Sequence, residues 1–266
     1  MKRIAILSFI LIVIAAFMLT GYAVDYTKDI SSIMTSYTLN NYSCESAIQQ
    51  QVNGAYRCVE LLEIIAKELD HSGSNSSDIS AVMTNYTLNN YSCKSAEQQA
   101  VNGYYRMVDM LAIIAKEADS SGSYGSDISS VIATFTLNNY SCESAPQQQV
   151  NGVYRTVELL EIVAKAMDKS GKYNSEISTI KANYTLNNYS CESAPQQEVN
   201  GLYRSVELLE IIAKASDSTG AYSGDISSVM ANYTLNNYSC KSAVQQAVNG
   251  SYRMVELLEI VAKSLN

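Results

Sequence analysis

The sequence has no tryptophan, three phenylalanines, two prolines and a single histidine. That histidine, His71, lies in a Gly/Ser-rich stretch and reads as an exposed loop residue, so histidine-based metal sites and Ser-His or Cys-His triads are not expected. No Cys-x-x-Cys pair and no Cys-x-x-Cys-His haem signature occur among the six cysteines. Basic residues are few. Lys and Arg total 18 against 26 Asp and Glu, for a net charge of −8, and they form no stripe. An acidic chain with a scattered minority of positive charge is a poor binder of nucleic acid or anionic membrane surfaces, so no nucleic-acid partner is expected, and a membrane only if the N-terminal segment stays uncleaved. Paired carboxylates are also missing in any catalytic sense. Glu158 and Glu161 recur at i,i+3 on one helix as surface charges, and Ala112 stands in for the second of them in one copy. The run from Asp119 to Asp127, DSSGSYGSD, lacks the closing Glu of a calcium loop. These absences predict a protein that is not an enzyme and uses no cofactor or metal.

What is present begins with Met1-Lys2-Arg3, an apolar run from Ile4 to Leu19, and Thr20-Gly21-Tyr22-Ala23 before Val24-Asp25. A basic start, an apolar stretch and small residues before an acidic segment read as a secretory signal, residues 1–23, removed after Ala23. The alternative is an uncleaved anchor, since about 20 weakly polar residues span a bilayer. Either way Lys2 and Arg3 hold the N-terminus inside and the rest of the chain is exported, to a bacterial periplasm, cell surface or medium. Leu19-Thr20-Gly21 resembles a lipoprotein signal, but Tyr22 occupies the place of the lipidated cysteine.

Residues 24–266 form one array of a 49-residue repeat, with units 29–77, 78–126, 127–175, 176–224 and 225–266. Each unit reads as two helices. In the third, Ile128, Val131, Ile132 and Phe135 lie on one face of a first helix, which Ser126 caps. A second helix opens at Ser144 and Gln147, a capping box with Pro146 in the first turn. It carries an apolar stripe of Val150, Val153, Tyr154, Val157, Leu160 and Ala164, and a Glu161–Lys165 pair. Gly171 closes it. A 49-residue hairpin cannot bury its apolar surface alone, whereas tandem copies stack. The expected fold is all-α: five helical hairpins stacked as an αα-solenoid, a rod about 50 Å long from helix spacings of about 8–10 Å. A glycine recurs in the long helix at Gly54, Gly103, Gly152, Gly201 and Gly250. Close helix approach is the favoured reason, and a turn that splits the helix is the alternative.

Cys44, Cys93, Cys142, Cys191 and Cys240 recur once per unit, in Asn-Asn-Tyr-Ser-Cys. Equivalent atoms about 10 Å apart cannot form disulfides, so these thiols read as buried packing residues, with links between chains as the alternative.

The copies also compare themselves. Thr136 to Tyr140, Gln147, Gln148, Asn151, Tyr154 and Arg155 are identical in all five. They read as ladders between units or as a repeated groove for a glycan or peptide. The variable positions fall on one helical face: Ile48, Gln51, Ala55 and Cys58; Glu97, Ala100, Tyr104 and Met107; Pro146, Gln149, Val153 and Thr156; Pro195, Glu198, Leu202 and Ser205; Val244, Ala247, Ser251 and Met254. This stripe reads as a loosely constrained solvent face, or as the face that meets a partner. The last unit ends as apolar as its internal copies, so the open stack is expected to self-associate through its uncapped ends. The sequence therefore predicts an exported structural or adhesive scaffold. The alternative is a binding module for a peptide, protein or glycan.

Overall fold

The computed structural model describes residues 24–36, 47–85, 96–134, 145–183, 194–231 and 243–266. Ten helices lie among them, with no strand. Short helices α1 (Thr27–Ser36), α3 (Ser76–Asn85), α5 (Gly125–Thr134), α7 (Asn174–Asn183) and α9 (Ser223–Ala231) alternate with long ones. The long helices are α2 (Ala47–Leu69), α4 (Ala96–Ala118), α6 (Ala145–Met167), α8 (Ala194–Ser216) and α10 (Ala243–Leu265). Each long helix has 23 residues, about 34 Å at 1.5 Å per residue. The prolines sit in the first turn of α6 and α8, where no intrahelical bond is lost.

The long helices close into a ring. Each packs along its length on the long helix before and after it, and α10 packs on α2 in the same way. Each short helix sits outside, between two long ones, and α1 bridges α10 and α2. Five helices cannot alternate in direction around a ring, and equivalent residues meet in register, so all five run parallel. The expected rod with two uncapped ends is therefore corrected: the two end faces cover each other.

The recurring glycine makes this packing possible. A Cβ on Gly103 would lie 2.9 Å from the Ala55 Cβ and 3.4 Å from the Tyr56 ring. On Gly54 it would lie 2.8 Å from the Ser251 Cβ, across the junction of α2 with α10. The long helix is unbroken, so close approach is the reason for the glycine, and the three-helix alternative falls away.

The turns between units are built by an aspartate at the end of each long helix. Asp119 accepts hydrogen bonds from Ser123 N at 3.0 Å and Tyr124 N at 2.7 Å. Gly122, at φ 70°, turns the chain back beneath it. Burial opposes ionisation of Asp119, but these backbone donors and the Ser121 hydroxyl outweigh it and hold its carboxyl below the usual value. The first helix of the third unit thus begins at Gly125 and is capped by Asp119, rather than by Ser126 as its sequence suggests. The expected turn at Gly171 is present, at φ 69°. Ile128 is the buried anchor of α5, Val131 and Ile132 are half-buried, and Phe135 lies outside the described residues.

The same turn closes the ring without a peptide bond. Asn266 occupies the position of Asp70, Asp119, Asp168 and Asp217, and Tyr26 that of Asn75, Tyr124, Tyr173 and Tyr222. Tyr26 N donates to Asn266 Oδ1 at 2.8 Å, and Asn266 Nδ2 donates to Thr27 Oγ1 at 3.0 Å.

Candidate functional site

Closure decides where the variable stripe goes. Positions 51, 55, 58, 62 and 65 are spaced alternately by four and three residues, the heptad rhythm of a helix that faces a bundle axis. Gln51, Ala55, Cys58, Ala100, Tyr104, Met107, Gln149, Val153, Thr156, Glu198, Leu202, Ser205, Ala247, Ser251 and Met254 are all buried. Pro195 is half-buried, and the side chains of Ile48, Glu97, Pro146 and Val244 lie outside those described. Among the described residues the stripe from position 51 to 58 and its equivalents is neither a solvent face nor an accessible partner face. It fills the interior of the ring.

The filling explains the variation. At one level stand Ala55, Tyr104, Val153, Leu202 and Ser251, one large ring among smaller groups. Five tyrosines would overfill an axis of this size and five alanines would leave it hollow, and close packing tolerates neither. Further down, Leu62, Leu111, Leu160, Leu209 and Leu258 make a uniform apolar level, followed by Ile65, Ile114, Val163, Ile212 and Val261.

The upper levels hold a polar cluster. Gln51 Nε2 donates to the Tyr104 hydroxyl at 2.9 Å and also to Glu198 Oε1. The second bond joins α2 to α8, which are not neighbours in the ring, so it crosses the interior. Tyr104 also hydrogen-bonds Glu198, and Ser251 lies beside its hydroxyl. Glu198 is 5 % exposed and no cation faces it among these partners. Burial pushes its carboxyl up to about 8, against the opposing bonds from Tyr104 and Gln51. Burial, together with the nearby Glu198 charge, also pushes the Tyr104 hydroxyl well above its ordinary value. In the next level Thr156 and Ser205 return their hydroxyls to Gly152 O and Gly201 O at 3.0 Å each. Cys58 is a buried free thiol whose pKa burial alone raises. Such a cluster favours the protonated Glu198 carboxyl among buried partners.

The outer surface is repetitive by contrast. Arg155 pairs with Glu158 at 2.5 Å, and each other unit repeats this i,i+3 pair as Arg57–Glu60, Arg106–Asp109, Arg204–Glu207 and Arg253–Glu256. Lys165 meets Glu161 at 2.6 Å, as expected, and Lys181 of the next short helix joins it at 2.8 Å. Burial raises the Glu161 carboxyl, but its hydrogen bonds to the two lysines outweigh this and leave it lowered. Open clefts lie between short and long helices. One of about 290 Å³ holds Asp127, Ser130, Glu158, Glu161 and Lys165. Another of about 310 Å³ holds Asp225, Ser228, Arg253, Glu256 and Glu259.

Of the invariant residues, Tyr56 and Tyr105 form rungs between neighbouring helices, donating to Gln99 O at 3.4 Å and Gln148 O at 3.5 Å. Gln147 is exposed, and Gln148 and Asn151 are half-buried. Cys44, Cys93, Cys142, Cys191 and Cys240, the run from Thr136 to Tyr140, Ser144 and the N-terminal segment 1–23 lie outside the described residues. No group of three potential metal ligands occurs among the described residues, and no described helix is long and apolar enough to cross a membrane. Compared with family models, curated proteins and solved structures, the chain matches none.

Proposed function

We propose that this chain is an exported, non-enzymatic scaffold, a closed form of αα-solenoid that displays an Arg–carboxylate pair five times around its circumference. The single observation that carries the reading is the division of variation. The variable face of the long helix is buried toward the axis, whereas an Arg–carboxylate pair recurs on the outside of every unit, although other exposed positions, such as His71, Ser120, Lys169 and Ser218, differ. A catalytic protein concentrates distinct groups in one accessible place. The described members of this chain's variable helix face are buried or half-buried, and the Arg–carboxylate pairs recur outside, which supports the scaffold reading. Repetition suits multivalent attachment, in which weak contacts at several sites add through effective concentration. Export rests on the basic start and apolar run of residues 1–23.

The test follows the whole chain in a bacterial host, with a C-terminal tag. The expected product is extracytoplasmic and begins at Val24 by mass spectrometry. A product confined to the cytoplasm with Met1 in place overturns the export half of the reading.

A binding module is the second reading. The outer clefts favour it, since each combines charged side chains from two helices with an apolar floor at Val131 and Ile162, or Val229 and Ile260. Saturable binding of a peptide or glycan, lost when the Arg155–Glu158 pair and its copies become Gln, would favour this reading over the scaffold.

A further inference from the structure

The junction of α10 with α2 is made by the same contacts as the four junctions that lie within the chain. A Cβ would lie 2.8 Å from Ser251 on Gly54 and 2.9 Å from the equivalent neighbour on Gly103, Gly152 and Gly250, while on Gly201 it would meet the branched Val153 side chain closer still. The Asn266–Tyr26 hydrogen bond, at 2.8 Å, reproduces Asp119–Tyr124 and Asp168–Tyr173, each at 2.7 Å. A last unit therefore meets the same surface whether the first unit belongs to its own chain or to another copy. Only chain connectivity discriminates, through an effective concentration on the order of millimolar for short connections.

We propose that this junction is a docking surface for a second copy of the chain. In the resulting dimer two chains exchange their last units, α9 and α10, and so complete two five-helix rings. The interior dictates that the exchange is reciprocal. Tyr104 occupies the axis once, with Ser251 beside it, and Gln51 reaches Glu198 across it. A ring of units one to four from one chain and unit five from the other keeps that set complete. A ring with two second units holds two tyrosines where one fits, and a ring with none is hollow. The hinge is the turn from Asp217 to Tyr222. Asp217 is half-buried, whereas Asp70, Asp119 and Asp168 are buried, so this is the turn most open to solvent. The proposal is independent of the export reading.

The chain from Val24 onward is refolded from denaturant at concentrations well below and close to millimolar, then sized by light scattering. A backbone-cyclised form, with Asn266 joined to Val24 through a short linker, is treated identically. The ends suit this, since Asn266 Nδ2 lies 3.3 Å from Asp25 Oδ1. The expected result is a species of twice the monomer mass. It grows with refolding concentration, keeps the helix content of the monomer and separates only slowly after dilution. The cyclised form stays monomeric. A linear chain that is monomeric at every concentration overturns the proposal. So does a dimer formed equally by the cyclised chain, or one that separates at once on dilution, because either places the contact on the outer surface.

Discussion

The inside and the outside of this ring obey opposite rules. Outside, all five units repeat an Arg–carboxylate pair and the same anchoring isoleucine, because each unit meets the same neighbours. Inside, the five units meet one another at a single axis. What fits there is a sum over five side chains, met by identical leucines at the level of Leu62 and by complementary, unlike residues at the levels of Gln51, Ala55 and Cys58. Repetition is the cheap solution where surroundings repeat, and variation is needed where they converge. In open repeat stacks a fixed frame with a variable face suggests a partner surface. Closure reverses that inference.

The largest break in this comparison comes from Tyr104→Ala. Removing the one large side chain from its level leaves a cavity on the axis, with an expected loss of about 3–5 kcal/mol in urea unfolding. Adding Ala55→Tyr to that variant restores the volume from the neighbouring helix and is expected to recover a substantial part of the loss. If the double variant is no better than the single, position 104 is required for its contacts rather than for the summed filling of the level.

Glu198→Gln sharpens the comparison through pH. The folded carboxyl titrates at about 8 against an ordinary value of 4.5. Between these values the folded protein holds a proton that the unfolded chain has lost, so stability is full below the lower value and falls as pH rises to the upper one. Gln already occupies the equivalent positions 51 and 149. The substitution is expected to raise stability increasingly above about pH 5, removing that part of the alkaline decline. Equal stability changes at acid and alkaline pH would show that Glu198 ionises freely in the folded state.

Gly103→Ala gives the smallest of the three effects, and its sign is the informative part. In an ordinary helix this change stabilises by about 1 kcal/mol. Here the added methyl meets Ala55 at 2.9 Å. Overpacking costs about 1–3 kcal/mol. A net loss of up to about 2 kcal/mol is expected in urea melts, and a net gain would mean that the junction has room to spare.

Much of this architecture was legible in the sequence. The 49-residue period, the two helices per unit, the glycine turn at Gly171 and the Glu161–Lys165 pair all follow from local spacing. Closure was not, because nothing local distinguishes a stack that ends from one that returns. Two signals pointed to it. The variable positions 51, 55 and 58 continue in the same four-three rhythm into Leu62 and Ile65, so the variable face and the apolar face are one. Asn266 also falls at the position of the turn-capping aspartates, and its amide oxygen accepts from Tyr26 N as their carboxylates accept within the chain. The cap of the first helix was misread for a related reason: Asp119, seven residues before Ser126, reaches forward from the preceding helix. The polar cluster at Gln51, Tyr104 and Glu198 joins residues up to 147 positions apart and is visible only once the ring is closed.

Parallel helices around an odd-membered ring have an electrical consequence. In a bundle that alternates up and down, helix dipoles cancel in pairs. Here five point the same way, each equivalent to roughly half a positive charge at its N-terminal end and half a negative charge at the other. The short helices, sent back by Gly122 and its equivalents, oppose them from the outside of the ring. The long-helix ends converge near the axis while the opposing short-helix ends stand apart around the rim. The backbone field is therefore a contrast of centre against rim, laid over a net charge of −8.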